Sequence, residues 1–225
     1  MSDFTTWRSL VDGEEISLIP DSGLLHDYNP ASLNLSHGDS LSEWSDDEGD
    51  VNLTVEAGSP TYEQDGRDHP AVVMDGDSFS SDHDVGQPVG LFFVLEPFGQ
   101  SNESFIRLFS DGSASAGSKV QFRPDVSDIR YGFGESNTFS ASYTEDKQLL
   151  SLIGDGTDGQ LRRDGETLNQ SDVGSNNWSP ERLFARDGGG ETFNADVLRI
   201  LVYNLDESDG IETIEDAIND QYGVY

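Results

Sequence analysis

The sequence predicts an all-β fold: two antiparallel sheets packed as a sandwich, with one helix at the C-terminus. Three observations carry this. Short apolar runs rich in Val, Ile, Leu and Phe recur every 8–15 residues or so. Clusters of Gly, Asp, Asn, Ser and Pro punctuate them, which is the pattern of strands joined by turns. Helical spacing is convincing only in the last stretch, so βαβ units are excluded.

Taken in order, residues 1–22 form an N-terminal arm. Phe4, Trp7 and Leu10/Val11 fit a short helical spacing, Ile16-Ser17-Leu18-Ile19 reads as a strand, and Pro20-Asp21-Ser22-Gly23 closes the segment. Two readings stand for the arm. It packs on the domain's own sheet, or Phe4, Trp7 and Leu10 attach it to a neighbouring subunit. Residues 23–225 form the sandwich domain. Val51-Asn52-Leu53-Thr54-Val55 alternates, and Ala71-Val72-Val73-Met74 is an apolar run stopped by Asp75-Gly76. Val89 to Leu95 is the most apolar segment, and Ser104 to Phe109 follows it. Val120 to Arg123, Phe139 to Tyr143, Leu149 to Ile153, Gln160 to Arg163, Arg182 to Ala185 and Val197 to Tyr203 complete the strands. The helix is Ile211 to Tyr222, with Ile211, Ile214, Ala217 and Ile218 on one face. Acidic residues at its start suit the helix dipole, and Gly223 is a natural stop.

The chain carries 44 Asp+Glu against 12 Lys+Arg, a formal charge of −32, and an apolar share of 34% with 10% aromatics. That aromatic content separates it from disordered acidic chains. Only Lys119 and Lys147 are lysines, against ten arginines, and dense carboxylates with few lysines are a halophile pattern. Molar salt shortens the Debye length to about 3 Å and screens the self-repulsion of such a surface. Nucleic acid is excluded as a partner by the same charge. No run reaches the roughly 20 apolar residues of a membrane span, so no membrane insertion is expected. Met1-Ser2-Asp3-Phe4 lacks the basic and apolar regions of a secretory signal. The absence of cysteine removes disulfides, thiolate metal sites and cysteine nucleophiles.

Leu24 to Trp44 followed by Asp46 to Gly49, then Pro70-Ala71-Val72-Val73-Met74-Asp75-Gly76, occur in a recognisable order. So do Gly90 to Pro97, Leu161-Arg162-Arg163-Asp164-Gly165, and Val197 to Asn204 followed by Ile211 to Val224. Together they resemble the concanavalin A-like lectin/glucanase domains of the laminin-G-like group in bacteria and archaea. The resemblance implies a two-sheet antiparallel jelly roll. Such domains serve as glycan binders, adhesion modules, enzyme appendages and virion surface proteins, so the fold leaves activity open.

Glu207-x-Asp209-x-x-Glu212 has the carboxylate spacing of a glucanase strand. Asp209-Gly210 breaks any strand there and Ile211 opens the helix, so no catalytic residue is assigned. The oxygen-rich loop Asp75-Gly76-Asp77 makes calcium the one cofactor worth testing, with Asp75 and Asp77 as ligands. Asp46 to Asp50 and Asp155 to Asp158 are weaker versions of such a loop, and His26, His37, His69 and His83 lack zinc spacing. Glycan binding needs an aromatic platform beside amides or carboxylates. Ser175-Asn176-Asn177-Trp178-Ser179 and Arg130-Tyr131-Gly132-Phe133-Gly134-Glu135 offer one, so Trp178, Asn176, Asn177 and Tyr131 are the candidate sugar contacts. The competing role for Trp178 is a cap on the sandwich edge, and Trp44 with Leu41 reads as core.

The combined expectation is a non-catalytic virion surface protein of a halophilic archaeal virus: a capsid turret, decoration or tail-associated protein. It would be made in the host cytoplasm and partnered with itself and other virion proteins, as a homo-oligomer that contacts host surface glycans. The alternatives are a cellular glycan-binding module of a haloarchaeon and a glycoside hydrolase or lyase on the same fold.

Overall fold

The computed structural model describes residues 8–11, 14–65, 68–100, 103, 105–111, 118–135, 137–186 and 190–225, with side chains from residue 18 onward. Along the chain come β1 (Arg8–Val11), β2 (Glu14–Ser17), β3 (Leu24–Tyr28), β4 (Glu43–Trp44), β5 (Leu53–Ala57) and β6 (Thr61–Glu63). Then follow β7 (Ala71–Met74), β8 (Ser78–Ser80), β9 (Val89–Pro97), β10 (Ile106–Ser110), β11 (Ser118–Arg123) and β12 (Asp128–Phe133). The last are β13 (Asn137–Ser140), β14 (Gln148–Gly154), β15 (Gly159–Arg163), β16 (Glu166–Ser171), β17 (Arg182–Leu183), β18 (Ala195–Asn204) and the helix α1 (Ile211–Tyr222).

Two eight-stranded sheets form the sandwich. Sheet 1 runs β13-β12-β11-β10-β17-β8-β5-β4, and sheet 2 runs β16-β15-β14-β9-β18-β7-β6 with β3 added along β18. All the strand pairs are antiparallel. Between the sheets lies one core, with Trp44, Phe79, Phe109, Phe122 and Tyr131 from sheet 1 against Leu91, Phe93, Leu150, Val197 and Ile200 from sheet 2. A second layer covers the other side of sheet 2, where Ile214, Ile218 and Tyr222 of α1 pack on Phe92, Val94, Leu149, Leu198 and Leu201. Because β9 and β18 are buried on both faces, their sequences read as continuous apolar runs rather than alternations.

The helix ends where the sequence predicts. Gly223 takes a left-handed φ of 57° and its N–H donates to the Asn219 carbonyl at 2.7 Å. An ion pair pins α1 to β15: Arg162 donates to the Glu215 carboxylate at 2.7 Å with both side chains buried. A second joins β3 to β18, with Arg199 Nε donating to Asp27 at 2.6 Å.

Three expectations need correction. The helical spacing over residues 4–11 is replaced from Arg8 onward by a hairpin, with Arg8 opposite Ser17 and Val11 opposite Glu14. Asp12-Gly13 between the two runs is itself a hairpin signal. Phe4 and Trp7 lie outside the described residues, and only the backbone of Leu10 is described. The segment Arg130 to Glu135, read as offering an aromatic platform to a sugar, lies in β12 as far as Phe133. The short strands β6 and β8 and the polar β16 carry too little apolar sequence to be read as strands.

Candidate glycan-binding face

The single described α-helix lies on sheet 2, so the outer face of sheet 1 is where polar side chains gather. Alternation decides which residues point there. In β11, Val120 and Phe122 enter the core, so Lys119, Gln121 and Arg123 face out. In β12, Ile129, Tyr131 and Phe133 enter the core, leaving Asp128, Arg130 and Gly132 outside. A bulge between Arg107 and Phe109 sends both Leu108 and Phe109 inward and keeps Arg107 and Ser110 outside.

Register then assembles three cross-strand rows on this face. Arg107, Gln121, Arg130 and Thr138 stand side by side across β10, β11, β12 and β13. Ser110, Lys119 and Gly132 form the next row. On the other side lie Arg123, Asp128 and Ser140. Arg123 donates to Asp128 at 3.0 Å, and its guanidinium sits 5.3 Å over the ring of Phe105, which is 39% exposed.

Glu191 reaches over this face from the connection between β17 and β18. Its carboxylate accepts from Arg107 Nε at 2.6 Å, Gln121 Nε2 at 3.2 Å and Arg186 at 3.1 Å. Its carbonyl accepts the Arg107 N–H at 2.9 Å, and its own φ is +48°, a backbone state unfavourable for a residue with a Cβ. Beside it opens a cleft of about 430 Å³ lined by Gln100, Glu103, Phe105, Glu191, Thr192 and Asn194. This is a ligand-sized space with one exposed aromatic and several polar groups at its rim.

Two cations on the face differ from the others. Arg107, Arg123, Arg162, Arg182, Arg186 and Arg199 are all ion-paired. Lys119, only 8% exposed, makes no hydrogen bond or ion pair with a described residue. Burial first, and then the neighbouring Arg107 and Arg130 charges, push its ammonium below the usual lysine value, with Asp111 opposing. The Nε of Arg130 is buried without a hydrogen-bond partner.

The residues singled out from the sequence lie elsewhere or point inward. The Trp178 ring is fully buried in the core between His83, at 4.6 Å, and Phe109, at 6.1 Å, so it has no face to stack on a sugar. The bridge to Val85 holds it in place, and the capping role fits this position better. Tyr131 is fully buried too, with its hydroxyl on Asn169 and Ser171 at 3.1 Å. Asn176 and Asn177 are exposed near one end of β11 and β12. Asn177 donates to Asp84 at 2.7 Å, and the side chain of Asn176 lies over Gly134. None of the four lines the cleft.

Asp77 is buried, and its oxygens clamp two turns. It accepts the Ser59 N–H at 2.6 Å and the Asp75 N–H at 2.8 Å. A Cβ on Gly58, whose φ is +83°, would collide with the same carboxylate. Asp75 accepts from Asn194 at 3.0 Å. The calcium expectation for this pair is therefore replaced by turn chemistry, and no cluster of three metal-ligating side chains occurs among the described residues. Glu207 and Asp209 lie in the exposed turn before α1 and Glu212 in its first turn, so they share no strand face.

A buried polar network that sequence spacing misses joins β3 to the segment after β8. His83 Nε2 meets the Tyr28 hydroxyl at 2.7 Å, Nδ1 meets the Ser81 hydroxyl, and the His26 ring lies 4.5 Å away. His26 in turn meets Asp46 at 2.6 Å. Both nitrogens of His83 are engaged and it is 3% exposed, so it acts as an internal pin.

No protein-family model matches the chain, and no curated protein matches it. Solved structures do. Trypanosoma rangeli sialidase in complex with sialic acid aligns at 16% identity and a TM-score of 0.57, over 95% of this chain and 35% of the sialidase. This chain thus spans about a third of that enzyme. Domain 4 of AbnA, a GH43 extracellular arabinanase from Geobacillus stearothermophilus in complex with arabinotriose, aligns at 14% identity and 0.60, over 88% of this chain and 100% of the domain. The botulinum neurotoxin type G receptor-binding domain aligns at 11% and 0.53, over 84% and 51%. At these identities the likeness is one of fold: a sandwich of two antiparallel sheets with, among the described residues, one α-helix, at the C-terminus.

Proposed function

We propose that this protein is a carbohydrate-binding sandwich that holds a glycan on the outer face of sheet 1, over the cleft between Phe105 and Glu191. The observation that carries the reading is the in-register row Arg107–Gln121–Arg130 beside an exposed aromatic and a cleft of about 430 Å³. Sugars present apolar C–H faces ringed by hydroxyls. Phe105 suits the former, and guanidinium, amide and carboxylate groups suit the latter. The fold supports the reading as well, since domain 4 of AbnA, matched over its whole length, was solved with arabinotriose.

A glycan array probed with the full chain in about 2 M KCl, where the carboxylates are screened, tests it. Binding of an oligosaccharide that weakens at least tenfold in Phe105→Ala, with the melting temperature unchanged, is the expected result. Failure to bind any glycan, or binding indifferent to Phe105, overturns it. One observation favours a second reading, glycoside hydrolysis: Glu103 and Glu191 line the same cleft. Turnover of a bound oligosaccharide that vanishes in Glu103→Gln would select it. In either setting drawn from the sequence, a halophilic virion or an archaeal cell surface, the partner of this face is a glycan. Residues 1–22 would be the segment that fastens the domain to its neighbours.

A further inference from the structure

Among the described basic side chains of a protein with a formal charge of −32, Lys119, Arg130, Lys147 and Arg163 make no ion pair with a carboxylate of a described residue. The outer face of sheet 1 holds two together. Lys119 on β11 and Arg130 on β12 stand in adjacent rows of the same face, next to Arg107. Glu191 reaches over these rows and is engaged with Arg107, Arg186 and Gln121, while Asp111 at the end of the Lys119 row accepts the Ser118 N–H. Lys119 is more than nine-tenths buried with no hydrogen-bond or ion-pair partner among the described residues, and the Nε of Arg130 is buried and unpaired. Gly132 stands opposite Lys119 in the same register.

Cations held side by side without an ion pair of their own repel one another, and that penalty falls when an anion enters. From this we infer that the glycan held on this face is acidic, and that a carboxylate or sulfate on the sugar docks between Lys119 and Arg130. The inference rests on the glycan-binding reading and adds the charge of the ligand. Both anions accept from guanidinium and ammonium donors, so the chemistry is shared. The burial of the site keeps the contact from being fully screened in molar salt.

The test titrates the full chain in about 2 M KCl with three forms of one oligosaccharide: uronic acid, carboxyl-reduced neutral sugar and sulfated sugar. The acidic form is expected to bind at least about tenfold more tightly than the reduced one, the gain of one charge-assisted contact. The tighter of the carboxylated and sulfated forms identifies the anion. Lys119→Met should erase the preference while leaving the neutral sugar's affinity in place, and Arg130→Gln should erase the preference as well. Lys119→Met should also leave the melting temperature unchanged or higher, because no internal partner is lost; a clear drop would mark Lys119 as an internal counterion and overturn the inference. Equal affinity for the acidic and reduced forms overturns the charge and leaves the glycan reading standing. Binding of none of the three overturns both.

Discussion

Replacing Glu191 by Gln tests whether the candidate face is organised by the clamp described above. The substitution keeps the shape and removes the charge. Two effects oppose each other. Losing one of 44 acidic residues relieves self-repulsion, but with a Debye length of about 3 Å in molar salt that relief is small. Against it stands the loss of a carboxylate that accepts from Arg107, Gln121 and Arg186. The Arg186 contact is 45% exposed on the arginine side and contributes little. The Arg107 side chain is only 9% exposed, so stripping its counterion leaves a buried charge, which costs about 3–5 kcal/mol where burial is complete. Glu191 is 22% exposed, and water reaching the vacated position lowers the cost to about 2 kcal/mol. For a chain of this size that is a fall in melting temperature of about 4–8 °C. Thermal and urea unfolding in 2 M KCl of Glu191→Gln, Arg107→Gln and the double variant measure it. The double variant should cost clearly less than the two singles added, because each single strands the other member of the pair. A loss below about 0.5 kcal/mol in Glu191→Gln, or strict additivity, would refute the clamp.

Two further outcomes follow from the packing. Burial first, with the neighbouring His26 charge adding and Asp46 opposing, pushes the His83 imidazole down to about 3. The unfolded chain takes up that proton near pH 6.5, whereas the folded one does so only near 3. The stability is therefore complete above about 6.5 and is lost as pH falls, by about 1.4 kcal/mol per unit and so about 2 kcal/mol by pH 5. Urea midpoints at pH 7 and 5 for the natural protein and His83→Gln should show a steeper fall in the former, and parallel falls would remove His83 as the cause. Asp77→Ala should lower the melting temperature by several degrees equally with calcium and with EDTA, because its oxygens hold the Ser59 and Asp75 amides. A drop seen only with calcium would restore a metal role.

What the sequence made legible follows from where each strand sits. The strands β9, β14 and β18 are buried on both faces, so their runs stand out, and α1 shows its apolar face and its glycine stop. At the sheet edges, β6 and β16 present polar side chains and give no such signal. The segment Asp128–Phe133 was readable in principle. Ile129, Tyr131 and Phe133 occupy alternate positions with Asp128, Arg130 and Gly132, which is a half-buried strand. Reading it as an aromatic platform turns the ligand assignment inside out, since the aromatic faces the core and Arg130 faces the candidate site. Trp178 failed for a related reason: a lone aromatic between turn residues has no periodicity, and only the bridge to Val85 directs it inward.

The face itself could not be read from the chain, because register alone joins Arg107, Gln121 and Arg130 across three strands. One clue was nevertheless present. With 12 basic residues among 44 acidic ones, each cation has many available partners, and most arginines take one. Lys119 stands beside Arg107 and Arg130 with Asp111 as its opposing charge, yet it makes no ion pair among the described residues. That unpaired ammonium is the feature of the face on which the proposed acidic ligand rests.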